Sequence, residues 1–176
     1  WSMTSPPTRI YRVTIVCLGN ICRSPIGEAV LRERLTRSGL AGVVEVDSAG
    51  TGDWHVGQGA NPRSVQVLDD HGYGHDHTAR QIDERWFADI DLVIAMDSAN
   101  YADLKALIPS TAHHVDLRML RSFDPAFAGI SEPDARLDVP DPYHGTDEDF
   151  VTVLHMVESA VDGLMEALPE RIAVAH

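Results

Sequence analysis

The sequence predicts an α/β protein, a single domain of three layers in which a four-stranded parallel sheet carries helices on both faces. Apolar, β-branched runs alternate along the chain with segments whose apolar residues recur every three or four positions. Strands that alternate with helices in this way form right-handed βαβ units, and therefore a parallel sheet. The length of 176 residues suits one hydrophobic core, and 44% of the residues are hydrophobic, as in ordinary globular domains.

We expect this domain to span 11–170, between an N-terminal tail at 1–10 and a C-terminal tail at 171–176. Trp1 and Ser2 precede Met3, which reads as a natural start, so we expect these two residues to be a cloning remnant without a part in the fold.

The first strand is predicted at 13–16, where the residues are apolar and mostly β-branched. A tight polar loop follows, in which Gly19 and Asn20 tolerate a left-handed backbone. Ser24 and Pro25 then read as the N-cap and first residue of a helix that reaches 38, before Gly39. The loop therefore lies directly between the first strand and the first helix.

The second strand is predicted at 43–46 and is expected to end in a glycine-rich loop at 47–52. Asn61 and Pro62 open the second helix as N-cap and first-turn proline, and Gly72 ends it. A short helix at 83–88 precedes the third strand, the strongly apolar run at 91–96.

The next helix is predicted at 97–108, starting at Asp97 and stopped by Pro109, with a fourth strand at 114–119. Residues 120–146 are rich in Pro, Asp and Gly and show no periodicity, and a loop of that length in a compact domain is usually functional. Apolar residues from Phe150 to Leu168 then step by three and four, which predicts an amphipathic closing helix.

The formal net charge of −13 argues against nucleic acid or an anionic membrane as a partner, because both require clustered Lys and Arg. No basic and apolar leader is visible, no apolar run is as long as a membrane span, and two cysteines in one loop do not form a disulfide framework. We therefore expect a cytoplasmic protein, with export by a route that needs no signal left open.

Residues 17–25 read Cys-Leu-Gly-Asn-Ile-Cys-Arg-Ser-Pro and combine a thiol with a guanidinium. A loop that leads into a helix N-terminus gathers free backbone N–H groups and is a natural seat for phosphate. Cys17 and Arg23 enclose five residues, so both ends of the loop can turn toward one anion. Cysteine, five residues and arginine are the outline of a cysteine phosphatase.

The chemistry of this loop follows from its residue types. A helix N-terminus, converging amides and a nearby cation all favour the thiolate form of a cysteine such as Cys17. Arg23 can hold two phosphoryl oxygens at once, and the Ser24 hydroxyl can donate to the thiolate besides capping the helix. The other loop residues are predicted to surround the phosphate: Leu18, Gly19, Asn20, Ile21 and Cys22.

This loop resembles the phosphate loop of the low-molecular-weight protein tyrosine phosphatases. Further motifs fall in the order and approximate spacing of that family, so the resemblance covers nearly the whole chain: 47–51 (Asp-Ser-Ala-Gly-Thr), Trp54, 77–81 (His-Thr-Ala-Arg-Gln), Met96-Asp97 and 141–143 (Asp-Pro-Tyr). The resemblance implies that Cys17 attacks phosphorus, Arg23 clamps the phosphate and Asp141 protonates the leaving phenolate. Water then hydrolyses the cysteinyl-phosphate with Asp141 as base.

The same resemblance implies supporting roles for four residues. Asn20, Ser48 and His77 match a hydrogen-bonding network that holds the phosphate loop in shape. Asp97 matches a residue near the active-site arginine, although capping of its own helix explains it nearly as well.

The aromatic residues Trp54 and Tyr143 match the two walls of the pocket entrance, which suit a phenyl ring. Ile21 matches the residue that lines the pocket in tyrosine-directed members, whereas members that act on phosphoarginine carry threonine. His55 stands at a variable specificity position. His144 replaces a second tyrosine, which puts regulation by tyrosine phosphorylation there in doubt.

The second cysteine of the loop, Cys22, has two readings. It can trap an oxidised Cys17 as a reversible disulfide, or it can be a small buried residue.

We expect no metal and no cofactor, because a thiolate mechanism needs neither. The histidine-rich positions do not match a cysteine-containing metal site: His71, His75, Asp76, His77, His113 and His114. The expected partners are phosphotyrosine proteins as substrates and inorganic phosphate as product, and the chain is expected to be a monomer or to self-associate weakly.

Three other functions remain as alternatives. A phosphoarginine phosphatase is opposed by Ile21 and the aromatic walls. A thiol-dependent arsenate reductase needs downstream redox cysteines, and no cysteine follows Cys22. A phosphopeptide-binding module without activity would be marked by loss of the nucleophile or the acid, yet Cys17 and Asp141 are both present.

Overall fold

The computed structural model describes residues 9–175, and the expected remnant at Trp1 and Ser2 lies outside the described residues. The strands are β1 (Tyr11–Cys17), β2 (Val44–Gly50), β3 (Leu92–Ala95) and β4 (Asp116–Met119), and the α-helices are α1 (Arg23–Arg37), α2 (Pro62–Asp70), α3 (Ser98–Leu107) and α4 (Asp147–Ala175). A 3-10 helix covers Glu84–Ala88, and three more occupy Leu120–Phe123, Pro125–Phe127 and Ala135–Leu137.

All four strands are parallel, in the order β2-β1-β3-β4. Alternate residues of β1 face opposite sides of the sheet: Val13 and Ile15 pack with α1 and α4, whereas Val16 packs with Leu104 of α3. The predicted three-layer fold is confirmed.

The closing helix packs against both α1 and the segment at 120–123. A side chain at Gly163 would place its Cβ 1.8 Å from the carbonyl oxygen of Phe123, so only glycine permits this approach. The predicted apolar face is confirmed, since Phe150, Leu164 and Leu168 are all buried. The helix continues through Pro169 to Ala175, so residues 171–175, expected to be a tail, are helical. No helix among residues 9–175 is long and apolar enough to cross a membrane.

The structure corrects the predicted end of the second strand. Residues 47–50 were expected in a loop, but β2 continues to Gly50, which lies in register with Cys17 at the end of β1. Pairing with β1 outweighs the weak strand preference of Asp, Ser and Gly. The correction places Ser48 and Gly50 on the sheet, directly beside the phosphate loop.

Candidate active site

The carboxyl end of β1 opens onto a pocket, which is where a parallel sheet is expected to bind its ligand. Its volume is about 290 Å³, and it is lined by Cys17, Leu18, Gly19, Ile21, Cys22, Arg23, Trp54, His55, Asp141, Tyr143 and His144. Residues from three separate stretches of the chain, 17–23, 54–55 and 141–144, therefore meet at the loop that the sequence singled out.

Ser24 does not cap α1, which corrects the prediction. The helix begins one residue earlier, at Arg23, with Cys22 at the N-cap and no side-chain capping hydrogen bond. Ser24 is fully buried, and its Oγ lies 3.0 Å from Cys17 Sγ. Because the hydroxyl faces the thiol, the free N–H groups of the first turn remain available to an anion in the loop.

Asn20 is the centre of the predicted supporting network. Its backbone is left-handed, with φ of 57°. Its Nδ2 donates to Ser24 Oγ at 2.8 Å and to Ser48 Oγ at 2.9 Å, while its Oδ1 accepts from the backbone N–H of Arg80 at 3.0 Å. The Nε2 of His77 lies 2.6 Å from the Asn20 carbonyl oxygen. The three residues expected in this network are thus joined around the loop.

Two further residues support the loop and are not predicted from the sequence: Glu28 extends the hydrogen-bonding network, and Gly50 lets β2 approach the loop. Ser48 Oγ donates to Glu28 Oε1 at 2.5 Å. Glu28 also pairs with Arg32 on its own helix, and it is buried on the inner face of α1. A Cβ at Gly50 would lie 2.7 Å from the Leu18 carbonyl oxygen, so glycine lets β2 lie against the loop.

Arg23 is buried, and its Nη1 donates to Asp97 Oδ2 at 2.6 Å and to the Val139 carbonyl oxygen at 3.0 Å. Burial lowers the pKa of Arg23, but the charges of Cys17, Asp97 and Asp141 outweigh this effect and raise its pKa. The guanidinium is therefore a fixed positive charge beneath the pocket. Asp97 also accepts from the Asn100 N–H at 2.7 Å, so it caps α3 and pairs with Arg23 at once.

Asp141 lies at the mouth of the pocket, on the long loop that lacked periodicity. Its side chain is 45% exposed, and its Oδ2 is 3.6 Å from Arg23 Nη2. Its Oδ1 accepts from the backbone N–H of Tyr143 at 3.1 Å. Other acidic residues of the loop face elsewhere: Asp134, for example, caps the 3-10 helix at Ala135–Leu137.

The rim of the pocket carries exposed aromatic rings. Trp54 is 67% exposed and Tyr143 is 41% exposed, so neither ring is buried in the hydrophobic core. The rings of His55 and His144 lie beside Tyr143, with centroids 6.4 Å and 4.8 Å away. Ile21, by contrast, is buried and lines the pocket.

Cys22 is buried, and both cysteines are free thiols. Burial, followed by the charges of Asp141 and Cys17, raises the pKa of Cys22 to about 12. Its thiol therefore stays protonated at neutral pH.

One cluster outside the pocket, Glu28, His75 and His77, brings three possible ligand atoms within 4.8 Å of one another. Both Glu28 oxygens are already hydrogen-bonded, and Arg32 Nη1 lies 3.1 Å from Nδ1 of His75. A metal-binding histidine usually donates its second N–H to an acceptor, whereas here that nitrogen faces a cation. The arrangement does not favour a divalent cation.

The fold and the pocket define a small α/β protein with a thiol and an arginine on one phosphate-binding loop. The family model described as low molecular weight phosphotyrosine protein phosphatase matches residues 12–174. The chain therefore belongs to the low molecular weight phosphotyrosine protein phosphatase family, which confirms the predicted membership.

Individual relatives agree. The low molecular weight protein-tyrosine-phosphatase of Streptomyces coelicolor is 51% identical over 162 residues, which cover 92% of this chain and 96% of that protein. A protein tyrosine phosphatase structure from Entamoeba histolytica is 33% identical, with a TM-score of 0.81 over 91% of this chain and 97% of that one. The structure of Drosophila arginine phosphatase is 28% identical, with a TM-score of 0.79 over 89% and 96%.

Proposed function

We propose that this chain hydrolyses phosphotyrosine monoesters in proteins through a cysteinyl-phosphate intermediate. The observation that carries the proposal is the convergence of Cys17, Arg23 and Asp141 on one pocket whose rim is aromatic. Family membership supports the same reaction.

In the first step, the Cys17 thiolate attacks phosphorus and the bond from phosphorus to the tyrosine oxygen breaks. Asp141 gives its proton to the departing phenolate. Its place at the mouth, above the thiol-bearing loop, suits contact with the leaving oxygen. In the second step, Asp141 takes a proton from water, the water oxygen attacks phosphorus, and inorganic phosphate and the Cys17 thiolate are released.

Arg23 is the proposed phosphate clamp. Because Asp97 and Val139 hold Nη1 from behind, the guanidinium is oriented before substrate arrives. A phosphoryl group would replace Asp141 as the neighbour of Nη2, and two parallel N–H donors would follow its oxygens into the transition state. The network of Asn20, Ser48 and His77 is proposed to hold the loop around that group.

The rim supports tyrosine over arginine as the residue that carries the phosphate. Exposed Trp54 and Tyr143 provide flat apolar surfaces for a phenyl ring. Ile21 adds an apolar lining with no hydroxyl, in contrast to the threonine of arginine-directed members. His55 and His144 are proposed to contact residues that flank the phosphotyrosine.

The experiment that tests this function compares phosphate release from phosphotyrosyl, phosphoseryl and phosphoarginyl peptides. We expect turnover of the phosphotyrosyl peptide, none after Cys17→Ser, and a loss of roughly two to four powers of ten after Asp141→Asn, the usual range for general acid catalysis. Binding of phosphotyrosine without turnover would instead indicate a binding module. Preference for the phosphoarginyl peptide would reverse the assignment of Ile21.

We also propose that Cys22 protects Cys17 from overoxidation. A peroxide oxidises the Cys17 thiolate to a sulfenic acid and releases water or hydroxide. The Cys22 sulfur then attacks the sulfenic sulfur, forming a disulfide and releasing water. Oxidation of Cys17 removes one of the negative charges that raise the pKa of Cys22, which favours the attack.

The same free thiols support a reducing compartment, so we propose that the protein acts in the cytoplasm. We propose a monomer or weakly self-associating protein whose substrates are phosphotyrosine proteins.

A further inference from the structure

The loop that carries Asp141 is tied to the start of α3 by an aspartate that the reaction does not use. Asp138 Oδ1 accepts from the backbone N–H of Ser98 at 2.8 Å and from Ser98 Oγ at 2.8 Å. Asp97 caps the Asn100 N–H of the same helix. The first turn of α3 is thus capped both by its own flanking residue and by a residue 40 positions away in the sequence.

Val139, the residue after Asp138, is held by hydrogen bonds at both its N–H and its carbonyl group. The Val139 N–H donates to the Met96 carbonyl oxygen at 2.8 Å, and the Val139 carbonyl accepts from Arg23 at 3.0 Å. Arg121 Nη1 donates to the carbonyl oxygen of Asp138 at 3.1 Å. Val139 is fully buried, so residues 138 and 139 form a rigid anchor for the loop that carries Asp141.

Asp141 stands two residues beyond this anchor and directly before Pro142, which is buried. Pro140 is exposed, and the Asp141 side chain is half-exposed, hydrogen-bonded to Tyr143 on its own loop. The distance of its carboxyl from the leaving oxygen therefore depends on how the chain is anchored on both sides, by Asp138 and Val139 before it and by Pro142 after it.

We propose that Asp138, through its two hydrogen bonds to Ser98, is a positioning residue that sets the reach of Asp141 over the pocket. This inference rests on the proposed function, in which Asp141 is the general acid. A general acid must come within hydrogen-bond distance of the leaving oxygen, and a displacement of about 1 Å can reduce the rate by about a hundredfold. Removal of Asp138 therefore impairs proton transfer more than phosphate binding.

Proton donation matters most when the leaving group is basic, which gives the proposal a specific readout. We would measure kcat/KM for aryl phosphates that range from p-nitrophenyl phosphate, whose phenol is acidic, to phenyl phosphate, whose phenol is more basic. Asp138→Ala should lose about tenfold or more on phenyl phosphate and much less on p-nitrophenyl phosphate. Asp138→Asn, whose amide oxygen still accepts from Ser98, should retain most of the wild-type kcat/KM on phenyl phosphate.

Two further variants isolate the contact. Ser98→Ala removes only the hydrogen bond from the hydroxyl. It should also lose more kcat/KM on phenyl phosphate than on p-nitrophenyl phosphate, but by a smaller factor than Asp138→Ala. Asp134→Ala is the matched control, since Asp134 caps a 3-10 turn of the same loop through Arg136, and it should leave the profile unchanged. In an Asp141→Asn background, Asp138→Ala should cause no additional loss, because both changes act on one step.

An equal loss on every aryl phosphate together with weaker inhibition by inorganic phosphate would overturn the proposal, since it would mean that Arg23 had moved. Full additivity with Asp141→Asn, or no loss in folded Asp138→Ala and Ser98→Ala, would also overturn it. If wild type fails to hydrolyse aryl phosphates, or if Asp141→Asn behaves as wild type, the proposed function itself fails.

Discussion

The hydroxyl of Ser24 lies 3.0 Å from the Cys17 sulfur and accepts the amide N–H of Asn20, so its own proton is free to point at that sulfur. The same hydrogen bond would stabilise the thiolate as it leaves phosphorus during hydrolysis of the intermediate. Hydrogen bonds to charged groups contribute about 1.5–3 kcal/mol.

Ser24→Ala should therefore lower kcat by roughly ten- to a hundredfold. Stopped-flow release of p-nitrophenol should show a burst followed by a slow phase, because hydrolysis of the intermediate becomes limiting. Ser38→Ala, which removes a hydroxyl bonded to the Leu35 carbonyl at the other end of α1, is the control. Wild-type kcat in Ser24→Ala would contradict the assignment.

Asp97 caps α3 and pairs with Arg23, and two substitutions separate these roles. Asp97→Asn keeps an oxygen that accepts from Asn100 but removes the negative charge beside the guanidinium. We expect kcat/KM to fall roughly ten- to a hundredfold with little change in stability. Asp97→Ala should lose similar activity and, in addition, about 1 kcal/mol of unfolding free energy in urea. Equal activity in wild type and Asp97→Asn would exclude a role for the ion pair.

Asn20 combines a left-handed backbone with three side-chain hydrogen bonds. Asn20→Ala and Asn20→Gly remove the same bonds, but only glycine adopts positive φ without steric penalty. Urea unfolding should therefore show Asn20→Gly to be more stable than Asn20→Ala by about 1–2 kcal/mol, with both below wild type. The reverse order would mean that the loop relaxes away from the φ of 57° in the variants.

The protective role of Cys22 predicts a difference in recovery after oxidation. After mild peroxide treatment followed by a thiol reductant, wild type should regain most of its activity. Cys22→Ala should remain inactive, because the Cys17 sulfenic acid proceeds to irreversible sulfinic acid. Mass spectrometry should detect a Cys17–Cys22 disulfide in oxidised wild type. Recovery of Cys22→Ala to the wild-type extent would show that Cys22 serves packing alone.

His75 predicts a pH dependence of stability. Burial, followed by the charges of Arg32 and His77, lowers its pKa, although Glu28 and Asp76 act in the opposite direction. Since the unfolded chain binds the proton more readily, the stabilising contribution of neutral His75 is present above about pH 6.5 and is lost as the pH falls.

His75→Gln should flatten the fall in Tm below about pH 6.5, whereas His113→Gln, at an exposed position, should leave it unchanged. An identical pH profile for wild type and His75→Gln would contradict this prediction.

Much of the site could be predicted because its signals are local. The order of Cys17, Arg23 and Ser24 within one loop indicates an anion-binding site. Asn61 before Pro62 indicates a helix N-cap, and Asn61 does cap α2. Asp141 could be selected only through resemblance, since other aspartates share its loop.

The remaining features depend on contacts between distant elements. Ser48 and Gly50 have weak strand preference, and only pairing with β1 extends β2 through them. The buried position of Glu28 and the hydrogen bonds that Asp138 accepts from Ser98 depend on contacts between segments far apart in the sequence, for which a single sequence carries no periodic signal.

The contact between Arg23 and Val139 spans 116 positions of the sequence, which has a consequence for biosynthesis. A nascent chain exposes the thiol and the guanidinium first, but the carbonyl that orients Arg23, the proton donor Asp141 and the core-filling helix α4 all emerge after residue 138. Catalytic competence therefore arises only after these later segments have been made, and a polypeptide terminated before Val139 should not dephosphorylate bystander proteins.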